Sequence, residues 1–172
     1  MNATNEHILK HIADAYCTRL DIRYFDLATL PFFNPDLDGE ARPASVIDFC
    51  RQIGQADGVL ICTPEYVFSL PGVLKNALEW TVATTVFSDK PTALITASGL
   101  GEKAHASLLL IMHTLQASIG QDATLLISGA RSKVNKQGEI SDQDTLQAID
   151  QLMTSFLGTM DAQQAADNTV SA

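Results

Sequence analysis

The stretch Gly58-Val59-Leu60-Ile61-Cys62-Thr63 decides the fold. It is a short unbroken apolar run bounded by turn residues, the mark of a strand covered on both faces, as in a parallel sheet packed between helices. Upstream, Val46, Ile47, Phe49, Cys50 and Ile53 recur at helical spacing and stop near Gly54. Downstream, residues 70–82 read as another helix, with Pro71 suited to its first turn and Val73, Leu74, Ala77, Leu78 and Thr81 on one face. The alternation continues with a strand at 92–97, a loop at 98–103, a helix at 104–119 and a strand at 123–128. From Ser141 a last helix carries Leu146, Ile149, Leu152, Met153 and Phe156.

The chain opens on a helix, residues 4–20, in which Ile8, Leu9, Ile12, Ala13, Tyr16 and Leu20 form one stripe and Thr4 or Asn5 serves as cap. Residues 22–27 read as a short strand with Ile22 and Tyr24 inward, followed by a proline-rich loop at 31–43. Strand and helix alternate throughout, which predicts an α/β domain with a mostly parallel sheet between two helical layers. That domain is expected over residues 1–160. The tail 161–172 has almost nothing to bury and is expected to be disordered.

The 172 residues carry 11 Lys and Arg against 20 Asp and Glu, a net charge of −9. This acidic balance excludes the basic footprint of a nucleic-acid binder. No stretch approaches the roughly 20 apolar residues of a membrane span, and no basic-then-apolar leader follows Met1. A soluble cytoplasmic protein is expected. Cys17, Cys50 and Cys62 stand far apart in apolar surroundings and read as buried free thiols. His7 and His11 are four apart but lack a third ligand, so no metal site is expected.

In an open parallel sheet, ligands bind beyond the carboxyl ends of the strands. The loop after Thr63 reads Thr63-Pro-Glu-Tyr-Val-Phe-Ser-Leu-Pro-Gly72, stiff and unusually apolar. Such a loop suits either a flat heteroaromatic ligand or packing of Tyr66 and Phe68 on the sheet or a second subunit. The loop after Ala97 contains Gly99-Leu-Gly101-Glu-Lys-Ala104, which fits the dinucleotide pattern G-x-G-x-x-A. A ribose-binding acid should then end the next strand. The nearest candidate, Asp122, precedes that strand, which argues against a nicotinamide-binding Rossmann enzyme. A receiver-type phosphoacceptor is also excluded, because Cys62-Thr63 stands where an aspartate is needed. No G-x-S-x-G elbow occurs for serine hydrolysis.

The segment Thr63-Pro-Glu-Tyr-Val-Phe-Ser-Leu-Pro-Gly-Val-Leu-Lys-Asn-Ala-Leu-Glu-Trp80 resembles the signature of the NAD(P)H-dependent FMN reductases, which include quinone, chromate and azo-dye reductases. The signature runs roughly P-E-Y-N-x-S-x-P-G-x-L-K-N-A-[IL]-[DE]-W, and most of its fixed positions are met. The loop from Ser98 to His105 is similar to the family's second flavin-contacting loop. The resemblance covers about residues 2–157. It implies a flavodoxin-like three-layer sandwich and an NAD(P)H-dependent oxidoreductase that uses FMN, with NAD(P)H as co-substrate. Electrons would pass to a small-molecule acceptor: a quinone, azo dye, metal oxyanion or free flavin. A homodimer or homotetramer is implied as well.

By the same resemblance Thr4 and Asn5 meet the phosphate end of the cofactor. Pro64, Glu65, Tyr66, Val67, Phe68 and Ser69 embrace one edge of the ring. Ser98, Gly99, Leu100, Gly101, Glu102 and Lys103 line its other side. No side chain stands out as a catalytic acid or base, since the flavin carries the hard chemistry. Lys103 or His105 would meet dinucleotide phosphates or stand as plain surface residues. Two rival classes share this layout: a non-catalytic electron carrier or binding module, and the Rossmann enzyme set aside above.

Two departures from the family pattern bear on affinity. Val67 replaces the usual Asn. The family also opens with a strand and a loop like G-S-x-R-x-x-S-x-N, of which only Ala3-Thr4-Asn5 matches the closing S-x-N. The first strand is thus expected to be missing, with the natural start further upstream. In the implied strand order 2-1-3-4-5 its loss leaves a slot of about 9.6 Å, two strand spacings, between residues 22–27 and 58–63. A helix N-terminus at Thr4 and Asn5 still offers about half a positive charge. The lost Arg and Ser contacts, at about 1.5–3 kcal/mol each, predict FMN binding weakened by about a thousandfold.

Overall fold

A computed structural model describes residues 3–170. Its centre is the strand Thr92–Ala97 (β2), buried at every position. Val59–Thr63 (β1) and Thr124–Ile127 (β3) flank it in a parallel sheet of order β1-β2-β3, with Ile61 opposite Leu94 and Ile95 opposite Leu125. Among the described residues five α-helices surround the sheet: α1 Ala3–Ala15, α2 Ala44–Gln55, α3 Gly72–Glu79, α4 Glu102–Thr114 and α5 Gln143–Val170.

The alternation of side chains along each strand divides the interior into two cores. On one face Ile61 and Leu94 meet Phe49 and Ile53 of α2, Leu74 and Leu78 of α3, and Leu108 and Met112 of α4. On the other, Ala93, Ile95 and Ala97 meet Ile8 and Ile12 of α1 and Ile149, Leu152, Met153 and Phe156 of α5. Three layers result. Each fully buried large apolar side chain contributes about 1.5–3 kcal/mol, so both interfaces are strongly driven. Gly58 admits α5 to the edge of the sheet: a Cβ there would lie 2.7 Å from Phe156 and from Met160 Sδ.

Four sequence expectations need correction. Residues 22–27 are not a strand. Among the described residues no strand lies beside them, so their main chain has no ladder to join, and side chains hold them instead. Phe25 packs on Phe49 with centroids 4.9 Å apart, Tyr24 Oη donates to Leu9 O at 3.4 Å, and Asp26 caps a short turn through Ala28 N. The outer edge of β1 is open for the same reason. Val59 N donates to Pro91 O, so by alternation Leu60 and Cys62 turn their main-chain groups away from β2.

The second correction is the segment from Asp161, which continues α5 to Val170. Local bonds sustain it, among them Gln163 Nε2 to Asp167 Oδ1 at 3.0 Å and Thr169 Oγ1 to Ala165 O at 2.8 Å. Residues 171 and 172 lie outside the described part. Third, the first helix stops at Ala15, and Cys17 in the following turn is exposed; Cys50 is buried and Cys62 half-buried. Fourth, Val73 faces outward from α3, while Leu74, Ala77, Leu78 and Thr81 are buried as expected.

Candidate functional site

The carboxyl ends of β1 and β2, the loops that leave them and the first turn of α1 converge at one rim of the sheet. Asn5 makes the junction. It is fully buried, its Nδ2 donates to Ala97 O at 3.1 Å, and its Oδ1 faces Cys62 Sγ at 3.2 Å. Its side chain is thus spent on the ends of β1 and β2, which brings the N-terminus of α1 to this rim. Burial pushes the Cys62 thiol up to about 12, so it stays protonated and donates to Asn5. Thr4 beside it is also buried.

The loop after β1 closes in a tight two-residue turn. Tyr66 N donates to Ser69 O and Ser69 N to Tyr66 O, both at 3.0 Å. Val67 and Phe68 at its tip both take left-handed conformations, with φ of 51° and 56°. Hairpin turns of this kind favour Asn-Gly, because a branched side chain is crowded at positive φ. Strain of about 1–3 kcal/mol per residue is typical of such positions. The turn presents Tyr66, Val67 and Phe68 to solvent, with Val67 95% and Phe68 69% exposed. Pro64 and Leu70, at the two ends of the loop, are buried.

The loop after β2 meets the same geometric demand with glycine. Gly101 has φ of 93°, and a Cβ there would lie 2.8 Å from Leu126 Cδ1 and 3.3 Å from Thr96 Cγ2. Leu100 beside it is 62% exposed. A third loop, after β3, supports this one from behind: Gly129 N donates to Gly99 O, Ala130 N to Ser98 O, and Ser128 Oγ to Leu100 O. Nothing in Ser128-Gly129-Ala130 announces which carbonyls it will meet.

Glu65 joins the first two loops. Its Oε1 accepts from Gly101 N at 3.3 Å, and its Oε2 accepts from Lys103 N and Ala104 N at 2.9 Å each. These main-chain donors, that of Ala104 foremost, hold its carboxyl below the usual glutamate range. Ser98 Oγ adds a long 3.5 Å bond to Glu65 O. Just beneath, His105 Nδ1 lies 3.0 Å from Thr96 Oγ1, and burial lowers its pKa, so the ring is neutral at pH 7. Lys103 and Glu102 extend into solvent at the start of α4.

A flavin ring needs hydrogen-bond donors for its polar edge and apolar surface for its faces, and the rim supplies both. Among the described residues, the main-chain N–H groups of Val67 and Phe68, and of Gly99, Leu100 and Glu102, have no protein acceptor. Tyr66, Phe68 and Leu100 supply the apolar surface. At the other end of the loop helix, Trp80 is fully buried and donates from Nε1 to Pro31 O at 2.9 Å, while Asn76 bonds both Pro31 O and Phe33 N. Trp80 is therefore a structural residue of α3 and its neighbouring loop.

Among solved structures, the chain resembles the flavoenzyme NAD(P)H:(acceptor) oxidoreductase FerB of Paracoccus denitrificans, with a TM-score of 0.71 at 24% identity over 92% of this chain and 90% of that one. An azoreductase of Bacillus anthracis gives a TM-score of 0.60 at 17% identity, over 94% and 91% of the two chains. Both likenesses establish the fold. By sequence, the chain is 35% identical to a quinone reductase of Escherichia coli over 76% of this chain and 73% of that protein. It is 33% identical to an NAD(P)H-dependent FMN reductase of Pseudomonas aeruginosa over 77% and 74%. A NADH:(hydroxy)cinnamate reductase subunit of Vibrio ruber is 30% identical over 90% and 79%. The family model for NADPH-dependent FMN reductases matches residues 2–132, which contain the α1 terminus, both rim loops and Glu65, and the chain belongs to that family.

Proposed function

We propose that FMN lies across the carboxyl ends of β1 and β2, between the loop of Pro64 to Ser69 and the loop of Ser98 to Lys103, with its phosphate end toward Thr4 and Asn5. The protein is an NAD(P)H-dependent FMN oxidoreductase by family. The observation that carries the placement is the convergence of unpartnered N–H groups on two loops that Glu65 ties together. Bound flavin takes up the electrons of NAD(P)H and hands them on, so the protein's share is binding, orientation and exclusion of water. The amides of Val67 and Phe68 meet the polar edge of the ring, and those of Gly99 and Leu100 its other side. Asn5 serves the phosphate end indirectly: its side chain is engaged with the ends of β1 and β2, which holds the positive end of the α1 dipole at this rim.

The electron acceptor is of quinone class, in keeping with the quinone reductase relative. The exposed apolar residues Tyr66, Phe68, Val73 and Val82 fit a homodimer interface beside the site. No helix among the described residues is long and apolar enough to cross a membrane. The cytoplasm, where reduced nicotinamide nucleotides are regenerated, is the compartment that suits the reaction. The test is steady NAD(P)H oxidation by the FMN-supplemented protein with a benzoquinone acceptor, followed together with flavin absorbance at about 450 nm. Acceptor-dependent turnover that rises with FMN is expected. Turnover without flavin, or flavin uptake with no oxidation of either nucleotide, contradicts the reading.

A further inference from the structure

We propose that Glu65 is a positioning residue whose carboxylate fastens the start of α4 to the loop after β1 and so sets the spacing of the two flavin-facing loops. The inference rests on the flavin placement just given, but its geometry is independent of any ligand. Three main-chain N–H groups, of Gly101, Lys103 and Ala104, converge on the two oxygens of one side chain 36 or more residues away in sequence. Two of them are first-turn amides of α4, the groups that a helix N-terminus would otherwise offer to an anion. The helix end is therefore already filled by the protein's own carboxylate. It anchors a loop, and an incoming nucleotide phosphate finds no vacant donor at Lys103 or Ala104.

The consequence for binding is specific. Gly99 and Leu100, whose amides are unpartnered, sit directly before Gly101; Val67 and Phe68 follow Glu65 by two and three positions. One side chain thus lies between the two donor pairs and fixes their distance before flavin arrives. Preorganisation of this kind raises affinity by sparing the cost of ordering at binding. Bonds from N–H groups to a carboxylate are stronger than neutral ones, and an amide in its place turns an NH2 group toward donors.

The test is Glu65→Gln in the full chain, read in two ways. Amide hydrogen exchange on labelled protein should show lost protection at Gly101, Lys103 and Ala104 with the sheet amides unchanged. FMN titration by flavin fluorescence should show a Kd raised about tenfold. General damage to the fold would instead lower protection throughout the sheet. An unchanged Kd, or unchanged protection at the three amides, overturns the proposal. If Glu65→Gln fails to fold, carbon-detected titration of the Glu65 carboxyl in the wild type decides it: ionisation below the usual range, with those three amides exchanging faster as it protonates, supports the proposal, and ordinary titration with indifferent amides refutes it. A wild type that takes up no FMN refutes the flavin placement, and with it the role in affinity, while the exchange data still show whether the carboxylate holds the loop.

Discussion

The two loops at the rim meet the same requirement by opposite means. Each must reverse direction after a parallel strand and present main-chain N–H groups outward, which calls for left-handed backbone. The loop after β2 places glycine there, at Gly101, where a side chain has no room between Leu126 and Thr96. The loop after β1 places Val67 and Phe68 there, both exposed and both at positive φ. The first solution is relaxed and is dictated by packing. The second is strained, and the folded protein alone gains nothing from it, since neither side chain is buried. Strain retained at an exposed, apolar tip is what a binding surface would preserve.

The contrast predicts opposite responses to substitution. Gly101→Val combines a disfavoured backbone with a clash against Leu126, and a loss of about 2–4 kcal/mol is expected. For a chain of this length that is a fall in Tm of roughly 5–15 °C. Scanning calorimetry checks it; an unchanged Tm would mean that the loop adapts and that glycine is not required. Val67→Asn should act the other way, because Asn tolerates the left-handed region and nothing packed is lost. A gain of about 0.5–1 kcal/mol is expected, or a rise of about 1–4 °C in Tm. A lower Tm for this variant would show that Val67 makes contacts worth more than its strain.

Much of this arrangement is legible from the chain itself, and the gaps are instructive. Residues 58–63 and 92–97 are mostly apolar without alternation, the mark of a strand covered on both sides, so the sheet and its flanking helices follow directly. Residues 22–27 alternate as a strand would, yet alternation reports which faces are apolar and not whether a neighbouring strand exists; side-chain contacts to Phe49 and Leu9 hold them instead. A lack of apolar residues predicts a disordered tail, but a run such as Ala162-Gln163-Gln164-Ala165-Ala166 has high helix propensity and extends a helix already anchored by Phe156 and Met160. At the rim, the identity of both loops is readable and their mechanics are not. The positive φ at Val67 and Phe68 has no glycine or asparagine to announce it. The role of Glu65 depends on amides brought to it by the parallel crossover between β1 and β2.

Backbone chemical shifts during an FMN titration report residue by residue where flavin sits, even when binding is weak. The amides of Val67, Phe68, Gly99 and Leu100 are predicted to move together with one saturation curve, while those of Asp57 and Lys90, at the opposite end of the sheet, stay fixed. Saturable shifts confined to other surfaces, or rim amides that do not move at any FMN concentration, would contradict the flavin placement.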